Sequence, residues 1–98
     1  MSIRFEWDPA KNDANQRKHG LRFEDVKAIF LWPSTRRDNI DETYAGREHR
    51  FVSLGPLPSG LVSVVWTEPR EGTVRIISAR WATKRERGLY REEMDQEP

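Results

Sequence analysis

Arginine dominates the cationic side of this 98-residue chain, with 13 residues against 4 lysines. Its planar fork pairs bidentately with phosphate or carboxylate, so an anionic partner is the first chemistry to consider. Arginine itself stays protonated, so any proton transfer must come from histidine, carboxylate, lysine or tyrosine. Lys18-His19 is one such place. His19 can titrate near neutral pH as acid or base, and Lys18 can meet a phosphate. A basic pair in the last turn of a helix also simply suits the helix dipole. Glu48 and Arg50 are two residues apart and share one face of a strand. A guanidinium beside a carboxylate favours its charged form, which makes Glu48 a weak base but a good orienting group, and as a carboxylate it is still a candidate general base. The bland reading of that pair is a cross-strand ion pair. His49 points to the opposite face. Arg75 and Arg80 are five apart on one strand, hence on opposite faces unless the strand bulges or Arg80 lies at its end. Either can hold a phosphate, or pair with a helix carboxylate such as Glu24. Arg70 and Lys84 are candidate substrate contacts. Trp66 and Trp81 could stack on nucleic-acid bases, although core packing is commoner. Asp38, Asp41 and Glu42 lie in a polar connection without a convergent histidine, which reads as a solvated loop and not a metal site.

These residues need elements to position them. The length suits a single domain over 1–98. The chain has no cysteine, which excludes a disulfide framework or thiolate site and fits a reducing cytoplasm. No apolar run approaches the roughly 20 residues of a membrane span, and Met1 to Asp8 lacks the apolar core of a signal peptide. The net charge of +1 hides an asymmetry. Residues 47–91 hold nine Lys/Arg and four Asp/Glu, whereas the tail 92–98 holds four acids and no base. Ile3 to Trp7 alternates as a short strand does. Asp8-Pro9 opens a helix that should run to about His19, stopped by Gly20. Phe23, Val26, Ile29 and Phe30 mark a second helix, ended by Pro33. Residues 36–43 suit a short edge strand. His49 to Leu54, Leu61 to Thr67 and Thr73 to Trp81 read as strands, with turns at Gly55–Gly60 and Glu68–Gly72. Thr83-Lys84-Arg85-Glu86 has the capping-box pattern and opens a last helix through Met94. The class is α+β: a short strand, two helices, an antiparallel meander of three or four strands and a C-terminal helix. The helices should cover one sheet face and leave part of the other to a ligand.

Several of these segments occur together in a recognisable order. They are Phe5-Glu6-Trp7-Asp8-Pro9-Ala10-Lys11, Asn15, Lys18-His19-Gly20, Phe23-Glu24-Asp25, Phe30 with Pro33, Arg75-Ile76-Ile77-Ser78-Ala79-Arg80, and Glu86-Arg87 with Tyr90. From about residue 5 to residue 90 the chain resembles the BrnT family, the toxin component of a bacterial type II toxin–antitoxin pair. The resemblance implies a RelE-like fold, metal-free RNA cleavage and no cofactor. It also implies neutralisation by a BrnA-like antitoxin whose DNA-binding domain represses the operon, in a heterotetramer of two toxins and two antitoxins. The sequence departs from the family pattern at Thr67-Glu68-Pro69-Arg70, where the arginine stands three residues after the threonine and not two. It departs again at Trp32, where an aspartate is more usual.

Metal-free cleavage uses the RNA 2′-OH as nucleophile. The protein must take the 2′ proton, return one to the leaving 5′ oxygen and stabilise added charge on the phosphoryl group. Arg75 and Arg80 suit the last task, with Lys18 as a further phosphate contact; His19 and Glu48 are the candidates for the first two, with Arg50 beside Glu48 as its orienting guanidinium. Two rivals stand beside this reading. One is a non-catalytic module that binds nucleic acid or antitoxin through the same basic sheet, favoured by the short supply of proton-transfer residues. The other is a structural partner within a repressor complex. The acidic tail is expected to shield the basic surface.

Overall fold

The computed structural model describes residues 2–41 and 49–96. In chain order it contains β1 (Arg4–Glu6), α1 (Pro9–His19), α2 (Phe23–Val26), β2 (Arg37–Ile40), β3 (Arg50–Leu57), β4 (Gly60–Thr67), β5 (Thr73–Trp81) and α3 (Lys84–Asp95). The strands form one sheet in the order β1-β5-β4-β3-β2. β2 through β5 are an antiparallel meander, and β1 adds to β5 in parallel. The expected α+β class is present, with its N-terminal strand, helices, meander and C-terminal helix.

Local chemistry sets the helix ends. Asp8 Oδ1 accepts from the Ala10 amide, Pro9 fits the first helical position, and Gly20 takes the left-handed conformation that stops α1. Thr83 and Glu86 form a complete capping box at α3. The second helix differs from the expectation. It is α-helical only over Phe23–Val26, then tightens to 3₁₀ over Lys27–Leu31. Phe23, Val26 and Ile29 recur every three residues, which is the 3₁₀ period, and all three are buried. The segment stops at Leu31, just before Pro33 as expected, and Pro33 in addition opens another 3₁₀ turn, Pro33–Thr35.

The core lies between this helical segment and one sheet face. Phe23, Val26, Ile29 and Phe30 pack on Val62, Val64 and Trp66 of β4 and on Val74, Ile76 and Ala79 of β5. Gly55 belongs to this packing and not to a turn. β3 runs on through Gly55-Pro56-Leu57, paired with Val62, Leu61 and Gly60. A Cβ on Gly55 would lie 2.7 Å from Ile29 Cβ, so the breaker-rich composition serves close approach of the 3₁₀ segment. Trp66 is in the core, but Trp81 is 42% exposed, contrary to the packed position expected for it. Asp38 lies in β2, where it pairs with Arg36 and accepts from Ser53, so it is not part of a solvated loop. Glu92 to Asp95 of the acidic tail form the last turn of α3, where Glu93 reaches Arg37 at 3.5 Å. No helix among the described residues is long and apolar enough to cross a membrane.

Two asparagines bind α1 to the rest. Asn12 Oδ1 accepts from the Phe23 amide and so caps α2, whose own N-cap, Arg22, makes no side-chain bond. Buried Asn15 accepts from the Ala79 amide and donates to the Leu21 carbonyl. The first bond closes the part of the β5 edge that short β1, which pairs only with Thr73 to Arg75, leaves open. Asn15→Ala would orphan a buried donor and a buried acceptor. It should destabilise the fold by roughly 2–4 kcal/mol. A denaturant melt showing less than about 1 kcal/mol would refute that role for Asn15.

Candidate functional site

The β4–β5 register decides which side chains meet. Trp66 pairs with Ile76 and Val65 with Ser78, so Ile77 is an extra residue in β5. Such a bulge reverses the alternation beyond it. Arg75 pairs with Thr67 and Arg80 with Ser63. Thr67 and Ser63 are four apart on a regular strand, so both arginines emerge on the same face, not on opposite faces. That face is the one turned away from the core. Its first row is Arg50, Thr67, Arg75 and Glu6; its second is Val52, Val65 and Ser78; its third is Arg37, Leu54, Ser63 and Arg80. The two outer rows carry the cations and the middle row is an apolar floor. The first and third rows are roughly 13 Å apart at strand rise.

α3 crosses the third-row end of this face. Arg80 reaches Glu86 and Arg37 reaches Glu93, while Tyr90 Oη donates to the Thr35 carbonyl at 2.5 Å. Burial pushes the Tyr90 hydroxyl pKa up, with the nearby Arg37 charge opposing. No α3 residue is buried, so these polar ties carry much of its attachment.

A concavity of about 130 Å³ opens in the exposed part of the face, lined by His19, Val52, Ser63, Val65, Ser78, Ala79 and Arg80. His19 enters it from the end of α1, held there because Asn15 fastens α1 to the β5 edge. Arg80 uses its outer fork on Glu86, at 2.7 and 3.0 Å, and turns one further Nη1 hydrogen to the Trp81 carbonyl. Nε and the remaining Nη2 hydrogen have no partner among the described residues. Together they form the side-on edge of the guanidinium, which can grip two oxygens of a phosphate. A larger hollow of about 520 Å³ lies between α3 and the β3–β4 hairpin. It holds Arg87, Arg91 and Tyr90 but neither histidine nor carboxylate, and the Tyr90 hydroxyl is already committed to the Thr35 carbonyl, so proton transfer is better served in the smaller one.

The other candidates are dispersed. Arg75 and Arg70 both end on Glu6, at 2.9 and 2.6 Å. Arg75 therefore pairs with a strand carboxylate and not with Glu24, which accepts instead from Asn12. Arg50 is half-buried in the first row, and Lys18 and Lys84 are exposed. Glu48 lies outside the described residues, as does Glu42. The structure thus brings His19 and Arg80 together, with Arg50 and Arg75 at the far row. Glu86, Ser63 and Ser78 were not singled out by sequence. Glu86 was fully accounted for by the capping box, which hid its second role. Its spacing of six from Arg80, across a strand-to-helix junction, was the available signal.

Hydrogen bonds from Arg80 hold the Glu86 carboxyl pKa below its ordinary value near 4.5, against the opposing effect of burial. A depressed carboxyl adds stability above its unfolded pKa and loses it as pH falls through the folded one. The wild type should therefore lose melting temperature on acidification below about pH 4.5 more steeply than Glu86→Gln. Parallel melting curves against pH would contradict the pairing.

A family model described as the ribonuclease toxin BrnT of a type II toxin–antitoxin system matches residues 7–86. The crystal structure of the Brucella abortus ribonuclease toxin BrnT superposes with a TM-score of 0.65 and 25% identity. The match covers 85% of this chain and all of the Brucella chain. No curated protein sequence matches.

Proposed function

Because the chain belongs to the BrnT family of ribonuclease toxins of type II toxin–antitoxin systems, we propose that it cuts RNA on the open sheet face, without a metal, at the concavity shared by His19 and Arg80. The observation that carries this reading is the free side-on edge of Arg80 in the same concavity as the imidazole. The edge takes two non-bridging oxygens of the scissile phosphate. The 2′ oxygen attacks phosphorus, the P–O5′ bond breaks, and a 2′,3′-cyclic phosphate and a 5′-hydroxyl result. The base removes the 2′ proton and the acid gives one to O5′. His19 fills one of these roles and Glu48 is the candidate for the other. Arg80 offsets the charge that builds on the phosphoryl oxygens.

The rest of the face suits a single strand of RNA. Val52 and Val65 offer an apolar floor against which a base can rest, while Arg50 and Arg75 serve neighbouring phosphates. Lys18, Arg70 and Lys84 add exposed positive charge to the approach. Family membership makes an antitoxin the partner. We propose further that it is BrnA-like, carries the DNA-binding domain, and assembles with the toxin as a heterotetramer of RelE-like toxin domains in the cytoplasm.

Purified protein should cut bulk RNA in excess EDTA and leave 2′,3′-cyclic phosphate ends. Arg80→Ala should lose roughly 10²–10³-fold in rate, and His19→Gln roughly 10²–10⁴-fold, both still folded by circular dichroism, with Arg80→Ala melting somewhat below wild type because it leaves Glu86 without its cation. Intact RNA with the wild type, or undiminished cutting by both variants, would overturn the reading.

A further inference from the structure

We propose that Glu86 is a positioning residue for RNA cleavage, which holds the Arg80 guanidinium so that only its side-on edge is presented to the scissile phosphate. This inference rests on the functional reading above and extends it to a residue outside the concavity. Four hydrogen bonds converge on Glu86. Its carboxylate accepts from Arg80 Nη1 and Nη2 and from the Thr83 amide, and its own amide donates to Thr83 Oγ1. The Trp81 carbonyl takes a further Nη1 hydrogen. Three of the five guanidinium hydrogens are thereby committed, and the two that remain lie on one edge.

The restraint matters because arginine is long and flexible. Arg80 is also the last arginine before β5 ends, and its side chain is 43% exposed. Without the carboxylate it could meet RNA end-on, side-on or through a single bond. Each pose would retain charge attraction, but only one would align the phosphate with His19. Misplacement of a reacting group by about 1 Å can cost on the order of 10²-fold in rate. The carboxylate itself is anchored by the backbone amide of Thr83, a bond that does not depend on the side chain at that position. A competing idea is that Glu86 blocks Arg80 and must be displaced by RNA. The geometry favours positioning, because the side-on edge is free while Glu86 stays bound.

The test compares wild type, Glu86→Gln, Thr83→Ala and Arg80→Ala. Glu86→Gln keeps an oxygen for the cap but removes the charge that fixes the guanidinium. We expect kcat to fall about 10- to 100-fold, with KM unchanged or lower because a negative charge has been removed. Thr83→Ala weakens the cap without touching Arg80, so it should keep kcat within about twofold of wild type. A loss in Thr83→Ala equal to that in Glu86→Gln would mean a fraying helix and would overturn the proposal. So would a Glu86→Gln enzyme with unchanged or raised kcat.

A second readout is independent of cleavage. The Arg80 Nε–H resonance should be resolved in the wild type and in Thr83→Ala, and should shift when a short RNA with 2′-deoxy nucleotides is added. In Glu86→Gln it should broaden or vanish. An identical, resolved and shifting signal in Glu86→Gln would refute positioning. Undiminished cutting by Arg80→Ala would instead sink the functional reading, leaving the resonance to decide the positioning question.

Discussion

One extra residue in β5 governs how this molecule can work. Without the bulge at Ile77 the strand would alternate regularly, and Arg75 and Arg80, five residues apart, would stand on opposite sides of the sheet. With it, Ala79 turns into the core beside Val64, and Arg80 turns out beside Ser63. The same local irregularity brings the Ala79 amide to the strand edge where buried Asn15 accepts its hydrogen. Helix α1 is fastened at that point, and His19 at its end is carried to the open face. The bulge, the asparagine bond and the His19–Arg80 concavity are therefore one arrangement and not three.

The second constraint is economy of charge. Arginines at both ends of the face lean on carboxylates carried by neighbouring elements of the fold. Glu6 of β1 holds Arg70 and Arg75 at one end. Glu86 holds Arg80 at the other while completing the α3 capping box. A basic surface built this way carries fewer uncompensated cations, which limits self-repulsion. It also differentiates the arginines. Arg75 is 52% exposed and reaches Glu6 through Nε, part of the edge that Arg80 leaves free. That contrast makes Arg80 the better phosphate ligand of the two.

Much of the scaffold was legible because its signals are local. Asp8, Pro9 and Gly20 bracket α1, and Thr83 with Glu86 opens α3, each through bonds made within a few residues. β5 was read over its full length, and β4 from its β-branched content to within one residue. What escaped were features created by tertiary contact. Gly55 looked like a turn residue, yet Ile29 across the core is its reason. Pro33 reads as a stop, and the helical segment does stop before it, but the new 3₁₀ turn that it opens was not foreseen. The face shared by Arg75 and Arg80 could be stated only conditionally, since a bulge leaves no fixed mark in composition. Glu6 could not be foreseen as the partner of Arg70 and Arg75, because nothing in the strand pattern placed β1 parallel to β5. The family resemblance, by contrast, rested on motifs spread from Phe5 to Tyr90 and is matched by the family model over residues 7–86.

The most direct measurement is a crystal structure of this chain with a short RNA whose nucleotides are 2′-deoxy, so that no attack can occur. The account predicts one phosphate with two oxygens on Nε and Nη2 of Arg80, His19 beside the 2′ or 5′ position, and the Arg80–Glu86 pair intact. A strand seated instead in the hollow between α3 and the β3–β4 hairpin, or a phosphate that has taken Glu86's place on Arg80, would contradict it.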